Sequence, residues 1–448
     1  MSSSSAVSGA STTNTGLGQG IDVTAFVAAA LSGDQANLNQ IQSQKTAVDK
    51  QSTALAQITS ELQEVQGAIF TLNDPLGSLS AQNAISSNSG VVSATASATA
   101  NTGTHSVTVN SLATTSSYYT APVASAGTTL ANGAFTIQVG SGTPVTVTID
   151  STNNTLTGLA AAINNLAAGV RASVISDANG ARLALVSETS GAPGDLTVAG
   201  NSSGLTFTKA VTGSNASLVV DGIPIASTSN TVTSAINGVT LNLVSPSATP
   251  TSVTVSPDTS QAASALNAFV SAYNTAIKDI NTQFTVNADG TVGGPLNADG
   301  SVREAQGALL SAIAYSVGGN NGIVNLASLG INLNDDGTLT VDQNQLTSAL
   351  ASNYSDVVNF LQSASGSFAQ NFNNALNSLV SSGIGSLSLD ATGLQQTSQS
   401  LQQTISDLQD TLNTKQQNLI LVYSQVNTTL QELPLLQAQL SQQLAGIP

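Results

Sequence analysis

The chain has no cysteine and no tryptophan, and only one histidine and one methionine, in 448 residues. Without thiols there can be no disulfide, no thiolate metal site and no cysteine nucleophile. A single histidine excludes histidine-cluster metal sites and leaves one possible imidazole base. Charge is also scarce. Only 7% of residues are charged, against a usual share of about 25%. The balance is 8 Lys+Arg against 24 Asp+Glu, a net charge of −16. That argues against nucleic acid as a partner, because neutralising phosphates needs clustered Lys and Arg. No apolar run approaches the ~20 residues that span a bilayer, so no membrane insertion is expected. The stretch Met1–Thr15 has no basic region and no apolar h-region, so it is not read as a Sec signal peptide.

What the chain does have is 40% hydrophobic residues, enough for sizeable cores, and a length that suggests about three domains. Residues 1–16 have almost nothing to bury and are expected to be disordered. A helical pattern follows from Asp22 to Leu72. Its second part repeats every seven residues through Ile41, Val48, Leu55, Leu62 and Ile69, with Gln44, Gln51, Ile58, Val65 and Leu72 three positions on. A seam of this period faces a partner helix, as in a coiled coil. Asp74-Pro75 stops it.

Between Ser80 and Asp258 the period falls to two. Val107 and Val109, then Phe135, Ile137 and Val139, then Val145, Val147 and Ile149 alternate with polar residues. Gly140–Pro144 reads as a hairpin loop between the last two sets. Further strands centre on Val174, Leu183–Leu185, Leu218–Val220, Val239–Leu243 and Val253–Val255. One helix interrupts, with Leu156, Leu159, Ile163 and Leu166 on a face.

Helices return with the stripe Leu266, Phe269, Val270, Tyr273, Ile277 and Ile280, and with pieces at Val302–Val317 and Gln345–Leu361. A second heptad helix closes the chain, from about Gly393 to Leu444. Its seam is Ile405, Leu412, Leu419, Val426, Leu433 and Leu440. Lys415, Thr429 and Pro434 interrupt it, and Pro434 predicts a kink or break.

The expected class is therefore α+β, with paired long N- and C-terminal helices and two mainly β domains inserted between them. The expected division is 1–16 disordered; 17–80 plus 259–448 helical; 81–120 plus 214–258 a first β domain; and 121–213 a second. Leu55 and Leu62 are expected to share seams with Leu412 and Leu419. The heptads leave open whether the partner helix lies in the same chain or another.

No chemistry-bearing constellation emerges. His105 alternates with Val107 and Val109 on its strand, so it is expected on the solvent face. A catalytic role would need a nucleophile and an orienting carboxylate. Gly16–Gly20 lacks the preceding strand and the third glycine of a dinucleotide fingerprint. Asn287–Gly290 and Asn334–Gly337 hint at calcium loops, but Leu296 and Gln343 stand where an EF-hand needs glutamate. Both read better as Asp-Gly turns. No catalytic residue, metal or cofactor is expected.

The run Gly16–Thr24 followed by the heptad helix resembles the N-terminal region of the flagellar filament-capping proteins, the FliD family. The resemblance continues in order through Val91–Ala100, Gly103–Leu112, Leu159–Asn164 with Gly169–Val174, and Asp221-Gly222 with Ile236–Leu241. It ends with Phe269–Asn274, Gly294–Leu296, Leu329–Ile331 and Asp336–Leu339 with Asp342. Pro434 and the closing segment depart from the family pattern. The resemblance implies a ring-shaped homo-oligomer, a pentamer, at the distal tip of the filament. There it would help exported flagellin fold and insert. It also implies contact with the flagellar export machinery and a chaperone, export through the type III channel without a cleaved signal, and no covalent chemistry. An adhesin or phage-type fibre with helical stalk and β head is the alternative. Flagellin itself shares helical termini but not these motifs.

Overall fold

The computed structural model describes residues 21–286, 290, 293–362 and 366–445. The chain forms two compact units. One holds residues up to 70, 267–342 and 364 onward, and the other holds 71–266 and 343–363.

The first unit is mainly helical. Helix α1 runs Val23–Asn73 and starts where the Asp22 carboxylate accepts the Ala25 N–H at 3.0 Å, satisfying one free amide of the first turn. Leu55, Ile58, Leu62, Val65 and Ile69 are fully buried. They mark the half of α1 that faces the bundle. Helix α3 (Thr259–Gln283) enters from the other unit, and α4 (Gly300–Ile313) is capped by Asp299. Helix α7 (Phe368–Val380) is capped by Ser367.

Phe269 and Tyr273 of α3 meet Phe368 and Phe372 of α7, with Phe269 and Phe372 edge-to-face at 5.4 Å and 90°. Such pairs add directional attraction to area burial. The sequence reading had no helix at 368–380. Its four asparagines, glutamine and serine are modest helix formers, and burial of Phe368, Phe372 and Leu376 outweighs them.

Helix α8 (Ser386–Ala445) is the longest element. It starts a turn and more before Gly393 and continues through Pro434, so the expected break is corrected. Proline removes one N–H and so leaves the carbonyl four residues earlier without its helical donor. The surrounding turns at 431–436 are largely exposed, so water can take that bond.

The second unit contains two cores. Strands β1 (Gln82–Ser86), β2 (Val92–Ala96) and β3 (Gly103–Ser111) lead in. After an excursion, β11 (Ala216–Val220), β12 (Ile223–Ser227), β13 (Thr231–Ile236), β14 (Val239–Leu243) and β15 (Thr251–Pro257) return. They build sheets ordered β1-β15-β3-β11-β12 and β13-β14-β2 around Val92, Val107, Val109, Leu218, Leu241 and Val253.

The excursion holds β4 (Thr115–Thr120), β5 (Gly133–Val139), β6 (Val145–Ile149), α2 (Leu156–Asn165), β7 (Val170–Asp177), β8 (Gly180–Ser190), β9 (Leu196–Ala199) and β10 (Phe207–Val211). Its sheets, β10-β4-β8-β7 and β6-β5-β9, enclose Phe135, Ile137, Leu159, Ile163, Leu183 and Leu185. Thr114 and Ser214 bridge where the chain leaves and re-enters the first core. Alternation placed the strands with the strongest patterns. Strands such as β10 and β12 escaped it, because few of their residues are buried.

Helices α5 (Gln343–Ser352) and α6 (Tyr354–Gln362) close this unit. The Gln362 side-chain amide donates to the carbonyls of Leu72 at 2.7 Å and Asp74 at 2.9 Å. It thereby satisfies acceptors that the end of α1 leaves open. A two-stranded hairpin, β16 (Ile331–Leu333) with β17 (Leu339–Val341), belongs to the helical unit.

Candidate assembly surface

The two terminal helices lie antiparallel in one chain. Ile21 N–H donates to Asn427 Oδ1 at 2.8 Å, and the Phe26 and Tyr423 rings lie 5.8 Å apart. Lys415 Nζ reaches Asp34 at 2.5 Å, and Ser398 Oγ donates to Asp49 at 2.6 Å. In each pair the two residue numbers add to within about two of 449, so one continuous register runs along α1 and α8, as rigid helices of equal rise require. Lys45 first, and Ser398 after it, hold the Asp49 carboxyl below its ordinary range.

Val27, Leu31, Leu38, Ile405 and Leu412 form the core of this pair, with Val23, Ile41, Leu408, Leu419 and Tyr423 against it. The register corrects the expected pairing. Leu412 and Leu419 meet the first part of α1, not Leu55 and Leu62. Those two belong to the bundle half, where Gln66 donates to Asn377 of α7 at 2.8 Å. Heptads have no absolute phase, so any two seams can be laid side by side on paper; only the fold chooses the offset.

Of the named seam residues, Leu55, Leu62 and Ile69 are fully buried, and Ile41, Val48 and Leu419 are partly covered. Exposure then rises along α8. Ile405 is 5% exposed and Leu412 8%, but Val426 and Leu433 reach 44% and Leu440 54%. The change comes near Asn427, which accepts the N–H of Ile21 two residues before α1 begins at Val23. Sequence reasoning missed Val27, Leu31 and Leu38, although Leu31 and Leu38 stand seven apart. Asp34 obscured that seam. It is the partner of Lys415, which interrupts the facing seam. An exposed pair of this kind adds little stability but favours one register.

His105 is on the polar face of β3, but it is engaged. Its Nδ1 lies 2.7 Å from Asp221 Oδ2, and Asp221 Oδ1 accepts the Ser106 N–H at 2.8 Å. Asp221 and Gly222 both have positive φ, 50° and 85°, as a two-residue type I′ hairpin demands. His105 thus ties down the β11–β12 turn. The His105 bond first, then the Ser106 amide, keep the Asp221 carboxyl below its ordinary range.

Of the two suspected calcium loops, Asn287–Asp289 lies outside the described residues, as does Gly16–Gly20. In the other, Asp336 accepts the Thr338 N–H at 2.9 Å and its hydroxyl at 2.6 Å. Gly337 at φ 82° completes the β16–β17 turn.

Known proteins resemble this chain in sequence and in its mixed helix and sheet fold. A family model described as the C-terminus of flagellar hook-associated protein 2 matches residues 213–434, and one for its N-terminus matches residues 19–116. The B-type flagellar hook-associated protein 2 of Pseudomonas aeruginosa is 31% identical over 83% of this chain and 83% of its own length. The chain belongs to the flagellar hook-associated protein 2 family. The Salmonella typhimurium hook-associated protein 2 is 36% identical over 31% of this chain and 31% of its own. The crystal structure of the D1-D2-D3 domains of the Escherichia coli flagellar cap protein FliD superposes with a TM-score of 0.59 at 27% identity. It covers 76% of this chain and 99% of that one. Hook-associated protein 2 is thus a filament-cap protein, a structural component of the bacterial flagellum, and the adhesin reading is set aside.

Proposed function

We propose that this chain closes the distal tip of the filament as a ring of identical subunits, five by family resemblance, and there promotes folding and insertion of exported flagellin. The observation that carries this is the end of α8. Beyond Asn427, Leu433, Leu435, Leu436, Leu440 and Leu444 are all exposed. Contiguous apolar surface of this kind on a helix marks an association site. The low density of charge reduces repulsion between like subunits.

The proposed partners are other copies of the chain, flagellin, and the export machinery with its chaperone. Export is proposed to run through the flagellar type III channel. The work proposed is structural, not enzymic, since His105 and Asp221 are spent on a turn. The four-part division into 1–16, 17–80 with 259–448, 81–120 with 214–258, and 121–213 stays a proposal, supported by the separate hydrophobic clusters of the two β cores.

Deleting the gene tests the reading. Flagellin should then escape unassembled into the medium. Normal-length filaments with no shed flagellin would overturn it. Electron microscopy of the purified protein should show rings.

A further inference from the structure

In the helical unit two carboxyl groups meet between helices with no cation between them. Asp299 caps α4, and its Oδ1 accepts the N–H of Ser301 at 2.8 Å and of Val302 at 3.2 Å. Ser301 Oγ lies 2.7 Å from that same oxygen and 2.8 Å from Oδ2 of Asp390, on the first turns of α8. A hydroxyl carries one proton, so it can donate to only one of the two. The other short contact needs a proton on the carboxyl side.

Asp299 already accepts two backbone amides at the positive end of a helix, which favours its ionised form. The additional proton therefore belongs to Asp390. Asp390 donates to the Ser301 hydroxyl oxygen, and Ser301 donates its own proton to Asp299.

The titration directions agree with this arrangement. Burial pushes Asp390 up, and the neighbouring Asp299 adds to it against the Ser301 bond. For Asp299 burial acts the same way, but the bonds from Ser301, Asp390 and the backbone outweigh it and hold the carboxyl below its ordinary range.

Other charged groups nearby do not supply a counter-charge. Arg303, on the next turn of α4, donates to the Asn297 carbonyl at 3.2 Å and lies over the Phe284 ring. Glu304 follows it, and α7 has no ionisable side chain. On α1 the register puts Asp390 level with residues near 59. The ionisable groups there are the carboxylates Glu61 and Glu64, which again add negative charge.

We propose that one proton shared by Asp299, Ser301 and Asp390 clasps the root of α8 to the start of α4, making the seating of this long helix sensitive to pH. The sign follows from the two groups. Asp390 binds its proton more tightly folded than unfolded, so its contribution is present in acid and is lost as pH rises through its folded value. Asp299 behaves oppositely, and its contribution is lost as pH falls through its folded value. The clasp is closed between the two titrations.

The test is denaturant unfolding of the full chain at several pH values from about 4 to about 8, for the native protein, Asp390→Asn and Ser301→Ala. Across the Asp390 titration the native unfolding constant should rise up to about tenfold per pH unit. Asp390→Asn, which donates at every pH, should lose that rise. Ser301→Ala, lacking the bridge, should shift the pH at which it occurs. If Asp390→Asn keeps the native slope, the clasp is refuted. If that variant does not fold, carbon NMR of the Asp390 carboxyl in the native chain decides. A titration above the ordinary aspartate range supports the clasp, and one at or below it refutes the clasp.

Discussion

Tyr273 shows how a single atom can sit against the energetic grain of a core. Its ring is fully buried beside Phe269 and Phe372, yet its hydroxyl has no hydrogen-bond partner among the described residues. Burial pushes that hydroxyl well above its ordinary pKa. Removing an unpaired buried polar group should help, so Tyr273→Phe is expected to gain about 1 kcal/mol in urea unfolding. A loss of stability would mean that the hydroxyl has a partner.

His105 presents the reverse case, a residue suspected of chemistry that has a local structural task. Its alternation with buried valines put it on the outer face, but no pattern linked it to Asp221, 116 residues away. His105→Ala should cost less than about 1 kcal/mol, because both groups are partly exposed and screened. The Asp221 carboxylate is stabilised in the fold. Its contribution is therefore present above the ordinary aspartate range and lost as pH falls through the lower folded value. Melting curves of Asp221→Asn should converge with the native curves in acid and separate towards neutrality; parallel curves would exclude the linkage.

Between elements, the register of α1 and α8 is the decisive quantity. The chain has no native cysteine, so Asp49→Cys with Ser398→Cys gives a clean reporter. This pair should cross-link within one chain. Cysteines at Leu62 and Leu412 should not, since on the observed register they lie many helical turns apart. Leu412→Ala should cost about 2 kcal/mol, the low end for a leucine truncation. A two-helix seam has water on both flanks and can close over the gap. These helices were legible because a seven-residue repeat persists through many turns. Helix α7 was not, because its asparagines mask an apolar face that only a bundle can use.

At the scale of the whole molecule, the part of α8 beyond Asn427 offers an apolar face that the described residues of its own chain leave exposed. Deleting residues 434–448 should leave the melting of the rest nearly unchanged, since the side chains of 435–444 are exposed. It should still release flagellin into the medium, because the subunit could not seat. Retained filaments in such a strain would move the association surface elsewhere, towards the β unit.

By itself the sequence determined the types of the strongly periodic elements, the α+β class and the family, because periodicity and motif order are properties of the chain. It determined that thiol chemistry is excluded, because the atoms are missing. Only the tertiary structure decided which seam meets which, that Asp34 answers Lys415, that His105 holds a turn, and that Asp390 meets Asp299. Each of these joins residues far apart in the chain, and a repeat or a lone polar residue carries no information about its distant partner. That choice is made by the packing that leaves the fewest cavities and unpaired polar groups.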